Sequence, residues 1–240
     1  MKLMTSLSFY NLIEFYQHKH NARFDNISVN ALRCMFDKGV DISKYADPKY
    51  SHQQLSEIYA GMCENLDVSL YDDDSFDAVQ MWELRQGLKH GIDISVYSDA
   101  NYSNVHMSYI RQCLEDGIDV TYLLDSNLDP YQVQIIDIGL RKKLGVSKYA
   151  NSQLSLEEIK AIFKKLEKEQ TKQYRNALLA SSISFKTLIE EYESKHNTEI
   201  SLRVLKQLYS QYVNGISLSD DDITASNSLP PRLKPWYEIM

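Results

Sequence analysis

Three kinds of residue in this 240-residue chain have side chains that do chemistry. They are a Lys-His-Asn triplet that occurs twice (Lys19, His20, Asn21 and Lys195, His196, Asn197), two triple-aspartate runs (Asp72, Asp73, Asp74 and Asp220, Asp221, Asp222), and three cysteines (Cys34, Cys63, Cys113). A histidine used twice could serve as a base or a metal ligand. Cations in a last helical turn followed by a left-handed Asn are also an ordinary helix stop, and that is the expected role. An EF-hand calcium loop needs Gly at its sixth place and Glu at its twelfth. Counted from Asp72 those places hold Asp77 and Glu83, and from Asp220 they hold Ala225 and Pro231, so neither run qualifies. The cysteines form no CxxC pair, which points to reduced thiols rather than a disulfide framework or a zinc site. No Gly-rich phosphate loop, G-x-S-x-G or Cys-His signature occurs. The sequence thus assigns no catalytic residue, no metal ligand and no cofactor.

The elements that would position any site come from a repeat. Asp41-Ile42-Ser43, Asp67-Val68-Ser69, Asp93-Ile94-Ser95, Asp119-Val120-Thr121 and Gly145-Val146-Ser147 follow one another at steps of 26 residues without a gap. The same register aligns Tyr45, Tyr71, Tyr97, Leu123 and Tyr149. Ser51, Asp77, Ser103, Asp129 and Ser155 are N-cap residues, and Gln54, Gln80, Gln132 and Glu158 three places on complete capping boxes. Apolar residues at i, i+3 and i+7 (Leu55, Ile58, Met62; Met81, Leu84, Leu88) mark one helical face. Gly91 and Gly117 follow the last turn as terminators. Gly61, Gly87, Cys113 and Gly139 fill a small-residue slot, expected to be where neighbouring helices approach closely. The expected fold is all-α, an α-solenoid of short-helix/long-helix repeats with helical terminal modules, because one unit buries too little to fold alone.

The two ends of the chain also match each other. Residues from Ser6 recur from Ser182 at an offset of 176, which holds through Gly39/Gly215. The predicted organisation is an N-terminal helical module over 1–38, five repeats over 39–168, a C-terminal module over 169–222 that resembles 6–43, and a Pro-containing tail over 223–240. The polar stretch Glu167 to Lys172 is either the middle of one long helix or a break near Thr171.

The formal net charge is −7, and residues 39–143 carry eight Lys or Arg against eighteen Asp or Glu. Such a surface argues against nucleic acid as a direct ligand, since phosphate needs a basic footprint, and is compatible with a protein partner, including a basic nucleic-acid-binding protein or nuclease, or merely with solubility. Asp72, Asp73 and Asp74 are the candidate acidic surface. On the long helix, the side turned away from the core face becomes apolar in later copies: Val79, then Val105 and Tyr109, then Tyr131, Ile135 and Ile138. These six residues are the candidate partner-binding strip, unless a segment such as the tail with Trp236 and Tyr237 covers them. No run of about 18 apolar residues occurs, so no membrane span is expected. The N-terminal segment containing Lys2 and Glu14 does not read as a secretory signal, and a cytoplasmic location is expected.

The phrase Gly91-Ile-Asp-Ile-Ser-Val-Tyr-Ser-Asp-Ala-Asn-Tyr102, with His106-Met-Ser-Tyr-Ile-Arg-Gln-Cys-Leu-Glu-Asp-Gly117 and Tyr45-Ala-Asp-Pro-Lys-Tyr50, resembles a known repeat. It is similar to the GLDVS-YADPxF…QMxxIRxGLExGLDVS units of bacterial mobile-element and phage proteins, over roughly residues 39–168; Leu123 and Leu124 depart from the Tyr-Ala pair. The resemblance implies a bacterial host cell, no enzyme activity, and a setting in which small acidic proteins often block host defence. The functional expectation is a non-catalytic protein-binding module. Its narrower form is an inhibitor of a defence nuclease of the anti-CRISPR type, and its rival is a metal protein or enzyme built on the duplicated Lys-His-Asn.

Overall fold

A computed structural model describes residues 2–215, and it is helical, with no strand among the described residues. The tail over 223–240, with Trp236 and Tyr237, and the run Asp220 to Asp222 lie outside them. The chain divides into two compact units, Met1–Lys160 and Ala161–Met240. No helix of the described residues is long and apolar enough to cross a membrane.

The first unit holds α1 (Lys2–His20), α2 (Asn26–Asp37), α3 (His52–Cys63), α4 (Ala78–Lys89), α5 (Asn104–Glu115), α6 (Pro130–Arg141) and the start of α7 (Leu156–Ala180). From α3 to α6 each long helix has twelve residues and begins 26 after the one before. Helices α2 to α6 pack in chain order, each on the next. The expected caps are present. Ser51, Asp77 and Asp129 close capping boxes with Gln54, Gln80 and Gln132, and Ser155 and Glu158 bond reciprocally. After three of these helices the chain makes a three-residue 3-10 turn in the expected place (Val68–Leu70, Ile94–Val96, Val146–Lys148); the turn after α5, at Thr121–Leu123, starts one residue late.

The register extends one step further back than the sequence pattern suggests. Helix α2 begins 26 residues before α3 and is capped by Asp25, the equivalent of Ser51. Positive φ recurs at the same interval, at Gly39 (80°), Asn65 (58°), Gly91 (73°), Gly117 (68°) and Lys143 (54°). Each of α2 to α6 is therefore stopped by one left-handed residue, and Gly is the least strained choice there.

The small-residue slot has a different cause from the one expected. It is not filled by a neighbouring helix. A Cβ at Gly61, Gly87 or Gly139 would collide with the hydroxyl of Tyr71, Tyr97 or Tyr149, the ring in the turn that follows the same helix. Across this gap the Tyr71 and Tyr97 hydroxyls donate to the carbonyls of Glu57 and Glu83, both at 3.3 Å. The unit that has Cys113 in place of glycine has Leu123 in place of tyrosine, and Leu has no hydroxyl to accommodate.

The second unit is built from the remainder of α7, α8 (Ile183–His196) and α9 (Leu202–Val213). Helix α7 is continuous through Glu167–Lys172, which settles the choice between helix and break. The core is Phe185, Ile189 and Tyr192 from α8 with Ile200, Val204, Leu205 and Leu208. Phe9, Ile13, Tyr16 and Leu32 are buried at the matching places 176 residues earlier. Arg175 donates to the Ile200 carbonyl (2.6 Å) and pairs with Glu193, which also accepts from the Ile200 amide (2.7 Å).

Gly87→Ala separates two opposed effects. Helix propensity alone favours Ala by about 1 kcal/mol, whereas overpacking a filled site costs about 1–3 kcal/mol and the Tyr97 bond is lost. Urea denaturation should show a net loss. Adding Tyr97→Leu should return most of it, and a double variant no more stable than Gly87→Ala would disprove the coupling.

Candidate interaction surface

Two polar ladders run along the array from α3 onward. The first runs from the capping-box glutamine. Its Oε1 accepts from the cap amide (Ser51, 2.8 Å; Asp77, 2.7 Å; Asp129, 3.0 Å). Its Nε2 donates forward to a loop carbonyl of the next unit (Phe76, 2.7 Å; Tyr102, 2.6 Å; Leu154, 2.8 Å). In α5 the residue is His106, whose Nε2 bonds the Leu123 carbonyl. An oxygen acceptor requires the proton on Nε2. The ring is fully buried with its edge against Tyr102 (4.7 Å), and burial lowers its pKa against the opposing pull of the Leu123 carbonyl and Asp125.

The second ladder is ionic. Arg85 bonds Glu57 (2.9 Å) and Glu64 (2.8 Å) of the preceding helix, and Lys89 joins Glu64 (3.0 Å). Arg111 repeats the arrangement with Glu83 (2.8 Å), and also holds Glu115, which His90 meets at 2.6 Å. Burial alone would raise the Glu115 carboxyl, but His90 and Arg111 outweigh it and hold it below its usual value. In α6, Arg141 binds Asp137 (2.8 Å) and Asp116, and the Cys113 thiol donates to Asp137 (3.1 Å).

This ladder corrects the candidate strip. Tyr109 and Ile135 stand where α3 and α4 carry Glu57 and Glu83, so the position faces the next helix rather than solvent. Ile135 is buried at 4% exposure. Tyr109 is half-buried, its hydroxyl raised by burial and set beside Asp137 and Gln134. Ile138 is half-buried as well. The remaining three residues are exposed and form one column, the second position of three successive helices: Val79 (49%), Val105 (40%) and Tyr131 (51%). Polar Gln53 and Glu157 flank these three, and in α2 the same position is the exposed Ile27 (55%). Trp82, one turn on from Val79 and 38% exposed, belongs to the same outward side of α4, and sequence reasoning missed it.

The acidic candidates also divide. Asp72 is not surface: it is 4% exposed, accepts from the Tyr45 hydroxyl (2.7 Å) and pairs with Lys44 (2.6 Å). Asp73 caps the Ser75 amide (2.8 Å), and Asp74 pairs with Lys49 (2.8 Å); both are exposed. Most of the array's aspartates do similar work. Asp41, Asp67, Asp93 and Asp119 accept the amide two residues on, as do Asp47, Asp73, Asp99 and Asp125. The Ser95 and Thr121 hydroxyls with their amides hold Asp93 and Asp119 below their ordinary value, and the amides of Ser43 and Ser75 with their hydroxyls do the same for Asp41 and Asp73. No Lys or Arg occurs in residues 90–110 or 112–140. The loop edge beside the apolar column is therefore negative and poor in cations. The Val79 and Tyr131 amides themselves bond the cap carboxylates Asp77 and Asp129, both at 2.8 Å.

The duplicated triplet ends helices as expected: Asn21 and Asn197 adopt φ of 49° and 47°. His20 stacks on Tyr16 (6.4 Å) and His196 on Tyr192 (4.4 Å). Among the described residues no three His, Cys, Asp or Glu side chains gather as a metal site. Compared with known proteins, the chain matches no family model, no curated relative and no solved structure.

His106 sets a pH dependence. A histidine whose folded pKa lies below its ordinary 6.5 adds stability above that value and loses it as pH falls through the folded pKa. Unfolding free energy measured from pH 8 to 5 should decline in the acid half for the natural chain. His106→Gln, the residue of the other units, should flatten that decline; an unchanged slope would assign it elsewhere.

Proposed function

We propose that this chain is a non-catalytic helical-repeat protein whose array forms a solenoid and binds a basic protein partner along its loop edge. One observation carries the reading: Val79, Val105 and Tyr131 are exposed at the same place on three consecutive packed helices, bordered by ionised aspartates. Neighbouring helix axes lie about 8–10 Å apart, which makes the three side chains a continuous strip. A partner with apolar anchors between Lys and Arg residues complements it in both shape and charge. The likeness of residues 39–168 to mobile-element repeats supplies the setting, the cytoplasm of a bacterial host.

The absence of Lys and Arg from 90–110 and 112–140 favours a narrower form, in which the partner is a nucleic-acid-binding protein or nuclease whose basic groove the array occupies. Such a partner, once captured, should be released by competing DNA.

The test uses immobilised full-length protein and bacterial lysate, comparing the natural chain with Val105→Asp/Tyr131→Asp. Both residues are exposed, so the variant should unfold at an unchanged midpoint. Losing central anchors, worth about 2 kcal/mol or more, should cut capture of the partner at least about tenfold. Raised salt should elute the partner from the natural chain. A folded variant that captures the same proteins would rule this surface out.

A further inference from the structure

The two matching modules differ in what covers them. In the second unit α7 lies against α8 and α9: Leu178 and Leu179 pack on their core, and the Tyr174 ring lies 5.1 Å from the Lys206 ammonium. Arg175 is the polar anchor of this contact. Besides the Ile200 carbonyl and Glu193, it reaches Glu199 at 3.4 Å. The offset of 176 places Gln17, Arg23 and Phe24 at the positions of Glu193, Glu199 and Ile200. In the first unit Gln17 and Arg23 line an open cleft of about 390 Å³, together with Glu14, His18 and Asn21. Helix α1 runs unbroken through Thr5 and Ser6, where the second unit turns between α7 and α8 at Ser181 and Ser182. Phe24 and Val29 are only half-buried, whereas their counterparts Ile200 and Leu205, which α7 helps to cover, are buried.

We propose that the cleft at the α1–α2 turn docks an amphipathic helix of another protein in the manner of α7. That helix carries Glu or Asp where α7 has Arg175, and apolar residues three and four places on, where α7 has Leu178 and Leu179. The exchange of Glu193 and Glu199 for Gln17 and Arg23 sets the sign of the anchor. An arginine would meet Arg23, whereas a carboxylate accepts from both the Gln17 amide and the Arg23 guanidinium. The apolar pair completes the burial of Phe24 and Val29. This surface belongs to the N-terminal module and does not depend on the loop-edge column.

The probe is a labelled peptide of residues 156–181, the α7 sequence, carrying Arg175→Glu. It is titrated with the full-length chain beside the natural α7 peptide. The altered peptide should bind at least about tenfold more tightly than the natural one. Gln17→Glu/Arg23→Glu in the full chain should reverse that preference and leave the unfolding midpoint unchanged. Equal binding of the two peptides, a preference that survives the double substitution, or binding of neither would overturn the proposal. Dimerisation of the natural chain that Arg23→Glu abolishes would make a second copy the occupant, and would overturn it as well. No readout involves Val105 or Tyr131, so failure here leaves the loop-edge reading intact.

Discussion

A twelve-residue helix makes too few backbone bonds to offset the cost of its own nucleation, so each array helix depends on its neighbours. That constraint accounts for the polar ladders. The capping-box glutamine is the economical answer, since one amide group ends its own helix with Oε1 and binds the following unit with Nε2. A glutamate would cap equally well but could not donate forward. Glu158 stands where no further copy of the unit follows, and there the donor is dispensable. From α3 to α6 the residue at that position donates forward to the next loop, as Gln in three helices and as His106 in the fourth.

The same economy explains the acidity. A short repeat unit has many backbone amides at turns and helix starts, and aspartate satisfies them at the lowest side-chain cost. Two Asx turns and a cap per unit place several carboxylates on one edge for structural reasons. Arg85, Lys89 and Arg111 serve the ladder between helices, and Lys44 and Lys49 pair with Asp72 and Asp74 in the loops. A negative edge is a by-product of folding this repeat, so charge alone is weak evidence of a ligand. What gives it content is the apolar column beside it.

Much of the fold was legible because it is written in intervals. Caps, the left-handed Asn21 and Asn197, and the burial of Phe9 with Phe185 all follow from spacing. The site was legible only in part. A single amphipathic face divides a helix into inside and outside, but α5 touches α4, α6 and its own following turn. Position 109 and its equivalent 135 therefore looked outward when they face the next helix. Helix α2 went unrecognised as an array member because Ser28 and Met35 stand where later units have Gln and Gly, leaving the register without its two strongest marks. Asp72 could not be read at all: its role depends on the Tyr45 hydroxyl 27 residues away.

The repeats also act as an internal comparison of what folding demands. Columns that touch something change together: Cys113 accompanies Leu123, and His106 in the same unit turns to the Leu123 carbonyl instead of reaching 22 residues on. The second helical position is different. Its side chain has no capping or ladder duty, and Gln53 and Glu157 serve there without disturbing the cap beside them. Polar residues at that place would fold as well and dissolve better. Val79, Val105 and Tyr131 are thus unexplained by stability. An apolar residue stands at a solvent-facing place in three adjacent units with nothing in the unit requiring it, and the proposed binding surface rests on that observation.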